Sequence, residues 1–197
     1  MKIYDISQEV FNCEVYPDDP APKKEILSSM NNGDVYNLTA FFMCAHNGTH
    51  IDSPYHFFER GKSIDQIPLE KVVGACLVVE HDGVLSENNA SEIIKKAQKK
   101  EITKILIKGN ATVSLEAASV FKAAGIDLLG NESQTVGPED APMSVHKELL
   151  GADVVLLEGI RLSGVEEGEY FLCAAPLLLA ESDGAPCRAF LIKFDDR

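Results

Sequence analysis

One short segment, HNGTHIDSPYH at residues 46–56, constrains the fold and chemistry of this chain more than any other. Four side chains that can bind a metal or carry a proton stand at even positions in it, namely His46, His50, Asp52 and His56. In an extended chain, even spacings place side chains on one face, so the pattern favours a strand or an extended loop. The chain has five histidines and three of them lie here, which argues against a polar loop with incidental histidines.

The same segment must bend if it is to form one site. A straight strand would separate His46 from His56 by roughly 33 Å, which is too far for a single site. Gly48 and Pro54 permit a bend, and together with Thr49 they disfavour a helix. Imidazole and carboxylate ligands together suit zinc, manganese or iron(II). The segment therefore predicts a metal centre built on a bent, extended chain.

A metal centre needs more ligands than this segment supplies, and two residues elsewhere are candidates. Glu158 follows the apolar run at 154–157, where a carboxylate is costly unless it is paired or bound to metal. His146 lies in a short helix that we predict at 142–150. From the residues alone, each of the two has an ordinary alternative. Glu158 could be an acid at a strand end that faces water, and His146 could lie on a solvated helix face.

The remaining sequence predicts a mixed α/β domain, because strands and helices alternate in the middle and strands group at both ends. Strands are predicted at 3–6, 36–45, 75–79, 104–108, 126–129, 153–157, 169–174 and 188–194, and helices at 89–100, between Ser114 and Gly125, and at 142–150. A proline-rich loop is predicted at 12–24. Neither a repeat nor a linker divides the chain, so we expect residues 1–197 to form one domain.

Composition limits the partners that this chain is expected to have. Its formal net charge is −13, which disfavours nucleic acid but not a small anionic substrate, since bound divalent cations reverse the local field. No apolar run is long enough to span a bilayer, and Asp5 stands where a signal peptide needs apolar residues. We therefore expect a cytoplasmic protein without a membrane partner. The five cysteines form no C-x-x-C pair, which argues against a thiolate zinc site.

The 46–56 segment also resembles a known signature. It matches, at every fixed position, the pattern H-x-G-T-H-x-D-x-P-x-H of the cyclase family of metal-dependent hydrolases, which includes bacterial kynurenine formamidase and isatin hydrolase. Residues 149–159, 168–170, 175–177 and 183–189 resemble the C-terminal half of that family, so the resemblance covers essentially the whole chain. It implies the family's swivelling β/β/α domain, a mixed sheet with flanking helices, assembled as a homodimer or a higher homo-oligomer.

The resemblance implies a role for each candidate residue. The metal ligands that it implies are His46, His50, Asp52, His146 and Glu158. The first three would bind one ion and the fourth would bind another, with both carboxylates able to bridge. This gives two divalent ions per chain, zinc first and manganese as the alternative. His56 would be the proton donor and acceptor, because imidazole exchanges protons near neutral pH.

The activity implied is hydrolysis of a linear or cyclic amide, of the arylformamidase type, by metal-activated hydroxide. Two stretches depart from the family pattern, and both concern the substrate. Tyr16 stands where we expect a tryptophan that stacks on the substrate ring of kynurenine formamidase, which makes Tyr16 the candidate substrate-binding residue. The tripeptide at 108–110 stands where many members have Arg-Thr. The sequence therefore leaves the substrate open.

Two alternatives to an amide hydrolase remain at this point. One is a lactone or ester hydrolase that uses the same metal site. The other is a non-catalytic family member that binds metal and nothing more. His56 favours an enzyme, because a protein that only holds metal does not require it.

Overall fold

The computed structural model describes residues 1–194. Its strands are β1 (Lys2–Asp5), β2 (Lys23–Ser28), β3 (Leu38–Phe42), β4 (His50–Asp52), β5 (Val73–Glu80), β6 (Gly83–Leu85), β7 (Lys104–Lys108), β8 (Ala111–Val113), β9 (Leu128–Asn131), β10 (Val155–Glu158), β11 (Gly168–Cys173), β12 (Gly184–Pro186) and β13 (Phe190–Lys193). Its α-helices are α1 (Glu87–Gln98), α2 (Leu115–Ala124) and α3 (Met143–Leu150). Among the described residues, no helix combines the length and the apolar character needed to cross a membrane.

Nine of the strands form one mixed sheet, in the order β1-β13-β11-β5-β7-β9-β10-β4-β12. The central strands β5, β7, β9 and β10 are parallel to one another, and the flanking strands pair antiparallel. Parallel neighbours need a crossover, and α1, α2 and α3 lie in the three connections between the parallel strands. The predicted mixed sheet with flanking helices is therefore confirmed.

Two apolar cores cover the two faces of this sheet. In β7, Ile105 packs in the first core with Phe121 of α2, whereas Leu106 packs in the second core. Ile51 of β4 also belongs to the second core, and it is completely buried. Because side chains alternate along a strand, burial of Ile51 turns both of its neighbours to the opposite face.

Most predicted elements are confirmed, with ends that shift by a few residues. The strand at 104–108 has the predicted bounds, and Ser114 Oγ accepts the Ala117 N–H at 3.1 Å as the predicted cap of α2. The sequence did not predict β2, which begins at Lys23 inside the stretch assigned to a loop. Nearly all side chains of β2 are exposed, so no apolar alternation marks it in the sequence.

Strands β2 and β3 pair as a two-stranded hairpin outside the large sheet. We refer to residues 23–42 as the apolar hairpin, because it exposes many large apolar side chains. Those exposed side chains are Ile26, Leu27, Met30, Val35, Tyr36, Leu38, Phe41 and Phe42. Exposed apolar side chains in such numbers are often found where a protein contacts another molecule.

Candidate metal and catalytic site

Strand β4 carries the centre of the 46–56 segment and lies between β10 and β12. The register places Glu158 of β10 opposite His50, and Gly184 of β12 opposite Asp52. His50 and Asp52 share one face of β4, because Ile51 between them faces the second core. The sheet therefore brings a second acid, Glu158, from a distant part of the chain next to His50 and Asp52.

The bend that the motif requires is present on both sides of β4. Gly48 has a φ of 65°, in the left-handed region that favours glycine. Thr49 Oγ1 donates to the Gly159 carbonyl at 2.7 Å, which fixes the start of β4. His56 ends a short 3-10 helix after β4, and its ring centroid lies 4.2 Å from that of His46.

Five side chains form what we call the buried cluster: His46, His50, Asp52, His146 and Glu158. Asp52 Oδ1 lies 2.8 Å from His46 Nδ1 and 3.3 Å from His50 Nε2. Its other oxygen lies 3.7 Å from His146 Nε2. Glu158 Oε1 lies 3.2 Å from His146 Nε2, and Glu158 Oε2 lies 3.5 Å from His50 Nε2. The structure thus brings together all five candidate ligands that the sequence proposed, although two of them, His146 and Glu158, lie far from the 46–56 segment along the chain.

Backbone carbonyls orient two of these imidazoles. His50 Nδ1 donates to the Gly48 carbonyl at 3.0 Å, and His146 Nδ1 donates to the Pro142 carbonyl at 2.9 Å. A carbonyl only accepts, so in the neutral ring the proton stays on Nδ1 and the Nε2 lone pair faces the carboxylates. This is the arrangement that metal-binding histidines have.

Asp183, which the sequence analysis did not single out, connects the cluster to His56. Its Oδ2 atom lies 2.9 Å from His46 Nε2 and 3.3 Å from His56 Nδ1. The backbone at Asp183 is held by Ser53, whose N–H and Oγ both donate to its carbonyl, at 3.0 and 2.9 Å. The next residue, Gly184, has no room for a side chain, because a Cβ at that position would overlap the His46 ring. Hydrogen bonds from both histidines hold the pKa of Asp183 well below its usual range.

The cluster attracts positive charge. Burial by itself lowers the pKa of each imidazole, but the neighbouring carboxylates outweigh it and raise the pKa of His46 to about 11 and those of His50 and His146 to about 9. Burial raises the pKa of Asp52, yet the imidazoles bring it well below the usual range, and the pKa of Glu158 is also lowered. These carboxylates require positive charge nearby. Either protonated imidazoles or bound divalent cations can supply it.

The atoms of the cluster fit divalent cations. His50 Nε2 and Asp52 Oδ2 are buried and have no hydrogen-bond partner among the described residues. Among the described residues, three sets of donor atoms each lie within 4.8 Å of one another, and two of them belong to the cluster: one from His46, His50 and Asp52 and the other from Asp52, His146 and Glu158. The third set joins His46 to His56 and Asp183. Nitrogen and carboxylate donors that share one carboxylate suit two neighbouring ions.

The cluster lies against a cavity of about 210 Å³. The other residues that line it are Tyr16, Asp19, His56, Phe57, Gln134, Thr135 and Pro142. Tyr16 is held there because its hydroxyl donates to the Glu139 carbonyl at 3.1 Å. His56 stands at the cavity with a partly exposed side chain, where it can meet a substrate.

The sequence analysis also missed three residues on the cavity wall, which are Asp19, Gln134 and Thr135. No pattern in the sequence marks them, since each lies in a loop and reaches the cavity only through the strand order. For Asp183 there was a signal: it begins the stretch 183–189, which resembles the C-terminal half of the family.

Comparison with known proteins agrees with this geometry. Residues 4–137 match the protein family described as putative cyclase. The kynurenine formamidase of Erythrobacter litoralis is 30% identical over 99% of this chain and 95% of its own, and that of Bacillus anthracis is 28% identical over 96% of this chain and 97% of its own. These alignments extend beyond residue 137, to the part of the chain that carries His146 and Glu158.

Solved structures give the same picture. A structure described as a potential metal-dependent hydrolase with cyclase activity superposes with a TM-score of 0.81 at 26% identity and covers 99% of both chains. An isatin hydrolase bound to the product analogue thioisatinate has a TM-score of 0.81 over 98% of this chain and 93% of its own. Its identity of 17% makes that likeness one of fold alone.

Proposed function

Since this chain belongs to the putative cyclase family, we propose that it is a metal-dependent hydrolase that cleaves a linear or cyclic amide. Its relatives are named kynurenine formamidase, and one structural neighbour is named isatin hydrolase. These names denote hydrolysis of carbon–nitrogen bonds outside peptides. The single observation that carries the proposal is the buried cluster, with its unpartnered donor atoms, at the wall of a cavity that also exposes His56.

In this proposal the buried cluster holds two divalent ions, zinc first and manganese as the alternative. His46 and His50 would hold one ion and His146 would hold the other. Asp52 and Glu158 lie between these imidazoles, so their carboxylates would be available to both ions. Support comes from the two donor sets that share Asp52 and from the Nε2 atoms that face the carboxylates.

When bound, such ions would supply a water of lowered pKa and polarise the substrate carbonyl. His56 takes the proton released as water adds to the carbonyl carbon, and it returns a proton to the leaving nitrogen. Asp183 orients His56 through the 3.3 Å contact with its Nδ1. The same carboxylate oxygen accepts from His46 and so links the proton carrier to a metal ligand. Tyr16 offers an aromatic face to the substrate at the cavity.

The alternatives are weaker on specific grounds. A serine hydrolase of the α/β-hydrolase type would carry its nucleophile on a G-x-S-x-G turn, and the sequence has none. A protein that only holds metal would not need His56, which is outside the proposed ligand set. This imidazole lines the cavity and is oriented by the Asp183 carboxylate. A lactone or ester hydrolase could use the same groups, and the substrate screen below distinguishes it from an amidase.

Metal analysis followed by a substrate screen tests this proposal. Protein purified without added metal should carry up to two divalent ions per chain, and chelation should abolish turnover of formanilide or isatin, which zinc or manganese then restores. Asp52→Ala should lose metal and melt at a lower temperature, because a bound ion stabilises the native state. Asp153→Ala is the control, since this acid pairs with Lys62 and Lys71 away from the cavity. Full metal content in Asp52→Ala, or turnover of esters but not amides, would contradict the proposal.

We also propose that the chain forms a homodimer or a higher homo-oligomer. The apolar hairpin supports this, because Ile26, Tyr36 and Phe41 are 57%, 58% and 57% exposed, and Val35 is 90% exposed. A second copy of the chain is the simplest partner for such a surface, since most soluble oligomers are symmetric assemblies of one chain.

A further inference from the structure

We propose that the side chains of Gln134 and Thr135 form a neutral polar subsite that selects an uncharged amide over one that carries a carboxylate next to the reacting group. The inference rests on the proposed amide hydrolysis, because the subsite and the buried cluster line the same cavity. It goes further by naming the substrate class: a small aryl or cyclic amide without a charged substituent.

The polar atoms of these two side chains lack partners. Gln134 Nε2, Gln134 Oε1 and Thr135 Oγ1 are all buried, and none has a hydrogen-bond partner among the described residues. Thr135 is only 6% exposed, yet both residues line the cavity. Buried polar groups in native proteins are nearly always paired, so unpaired groups at a cavity wall indicate a partner that enters the cavity.

The structure holds this subsite next to the buried cluster. The Val136 N–H donates to Glu158 Oε1 at 2.8 Å, which ties the segment that carries Gln134 and Thr135 to a cluster carboxylate. Gln134 lies over Gly159, because a Cβ on that glycine would overlap Gln134 Nε2. The carboxamide therefore lies beside Gly159, the residue that directly follows Glu158.

Outside the buried cluster, the charged side chains of the cavity disfavour a substrate carboxylate. Within the described residues, the lining includes neither lysine nor arginine, and its acids are Asp19, Asp52 and Glu158. The last two belong to the buried cluster, so Asp19 is the acid left to face the rest of the substrate. Away from the ions that the buried cluster would hold, a substrate carboxylate would meet the like charge of Asp19 and find no lysine or arginine. A carboxamide and a hydroxyl instead match the carbonyl and N–H groups of an uncharged molecule.

The size of the cavity points to the same class of substrate. Its volume of about 210 Å³ is below the roughly 300–1,000 Å³ of pockets that hold drug-sized ligands. A single aromatic ring with one amide group suits this space.

A matched pair of substrates tests the selection, with the metal-loaded enzyme in each case. Formanilide and N-formylanthranilate carry the same formamide on the same ring, and only the second has a carboxylate. We expect kcat/KM to be at least about tenfold higher for formanilide, which is the effect of one unsatisfied polar contact. A preference for N-formylanthranilate would overturn the charge selection.

Two variants test the residues themselves. Gln134→Leu and Thr135→Val keep the side-chain size and remove the polar atoms, so KM for formanilide should rise about tenfold with unchanged metal content. Because these atoms have no partner in the protein, Tm should stay the same or rise. Gln66→Leu is the matched control: its amide oxygen accepts the Ser63 N–H at 3.1 Å, so Tm should fall while KM stays the same. A lower Tm and an unchanged KM in Gln134→Leu would overturn the subsite.

A binding measurement separates this inference from the proposed function. Acetanilide should raise the Tm of the metal-loaded wild type more than that of Gln134→Leu, whether or not any amide is cleaved. Equal shifts in the two proteins would overturn the subsite. If the difference is present but neither formanilide nor N-formylanthranilate is hydrolysed, the subsite stands and the proposed amide hydrolysis fails.

Discussion

Asp183→Asn should separate the proton carrier from the metal ligands. One oxygen of Asp183 lies within 2.9 Å of a ring nitrogen of His46 and within 3.3 Å of a ring nitrogen of His56. The substitution keeps the size of the side chain, removes its negative charge and leaves one oxygen where there were two. Both imidazoles therefore compete for a weaker acceptor, and each loses part of what fixes its orientation.

The structure sets the expected magnitudes. Loss of a hydrogen bond to a metal-ligating histidine typically weakens metal binding by about 10–100-fold, and His46 stands in that position. Acid–base catalysis as a whole contributes about 10²–10⁴-fold. The contact with His56 is longer than an ordinary hydrogen bond, and the Asp183 side chain is 43% exposed, so we expect an effect at or below the lower end of that range. In metal-saturated enzyme, kcat should fall about 10–100-fold and KM should change little.

The assay needs kcat, KM and metal affinity on the same preparations. Asp153→Asn is the control, because its side chain is exposed to a similar extent, 39% against 43%, and pairs with lysines away from the cavity. A double-mutant cycle then tests whether Asp183 affects kcat through His56. In a His56→Asn background, Asp183→Asn should lower kcat no further. If Asp183→Asn lowers kcat by the same factor in both backgrounds, Asp183 does not act through His56 and the reasoning is refuted.

Three further predictions follow from the same structure. His56→Asn should keep the metal and lower kcat by about 10²–10⁴-fold, as measured by elemental analysis and saturation kinetics; loss of metal would make His56 a ligand instead. Gly184→Ala should lower Tm by about 2–12 °C and weaken metal binding, because overpacking costs about 1–3 kcal/mol and the new Cβ would overlap the His46 ring; an unchanged Tm in calorimetry would show that the ring can move aside. Light scattering should show a species larger than a monomer, and Val35→Asp together with Phe41→Asp in the apolar hairpin should convert it to a monomer; a monomeric wild type would contradict the proposed self-association.

The motif at 46–56 could be predicted from sequence because its constraints are local. Even spacing, Gly48 and Pro54 indicated a bent extended segment, and the structure has β4 with a left-handed glycine before it and a 3-10 helix after it. Glu158 was open to another interpretation from its residue context alone. Only the antiparallel register of β10 and β4, which is a property of the sheet, places it opposite His50.

The rest of the site depends on which strands become neighbours. His146 could have faced solvent in a short helix, and it is buried because α3 packs so that its ring points toward Glu158. Asp183 and Gln134 lie in loops, where no periodicity marks the direction of a side chain. Asp183 reaches His46 and His56 because β12 lies beside β4, and Gln134 reaches the cavity because the chain after β9 passes close to the end of β10. Such contacts between distant segments leave no pattern in the neighbouring residues.

The alternation of side chains along β4 also limits how this protein can change its length in evolution. A single residue inserted or deleted within 50–52 would turn the positions of His50 and Asp52 toward the second core and that of Ile51 toward the cavity. The same shift would therefore bury two ionisable groups in an apolar layer and dismantle the candidate ligand set. Substitutions on this strand can be tested one position at a time, whereas an insertion or deletion there would damage stability and the candidate site together.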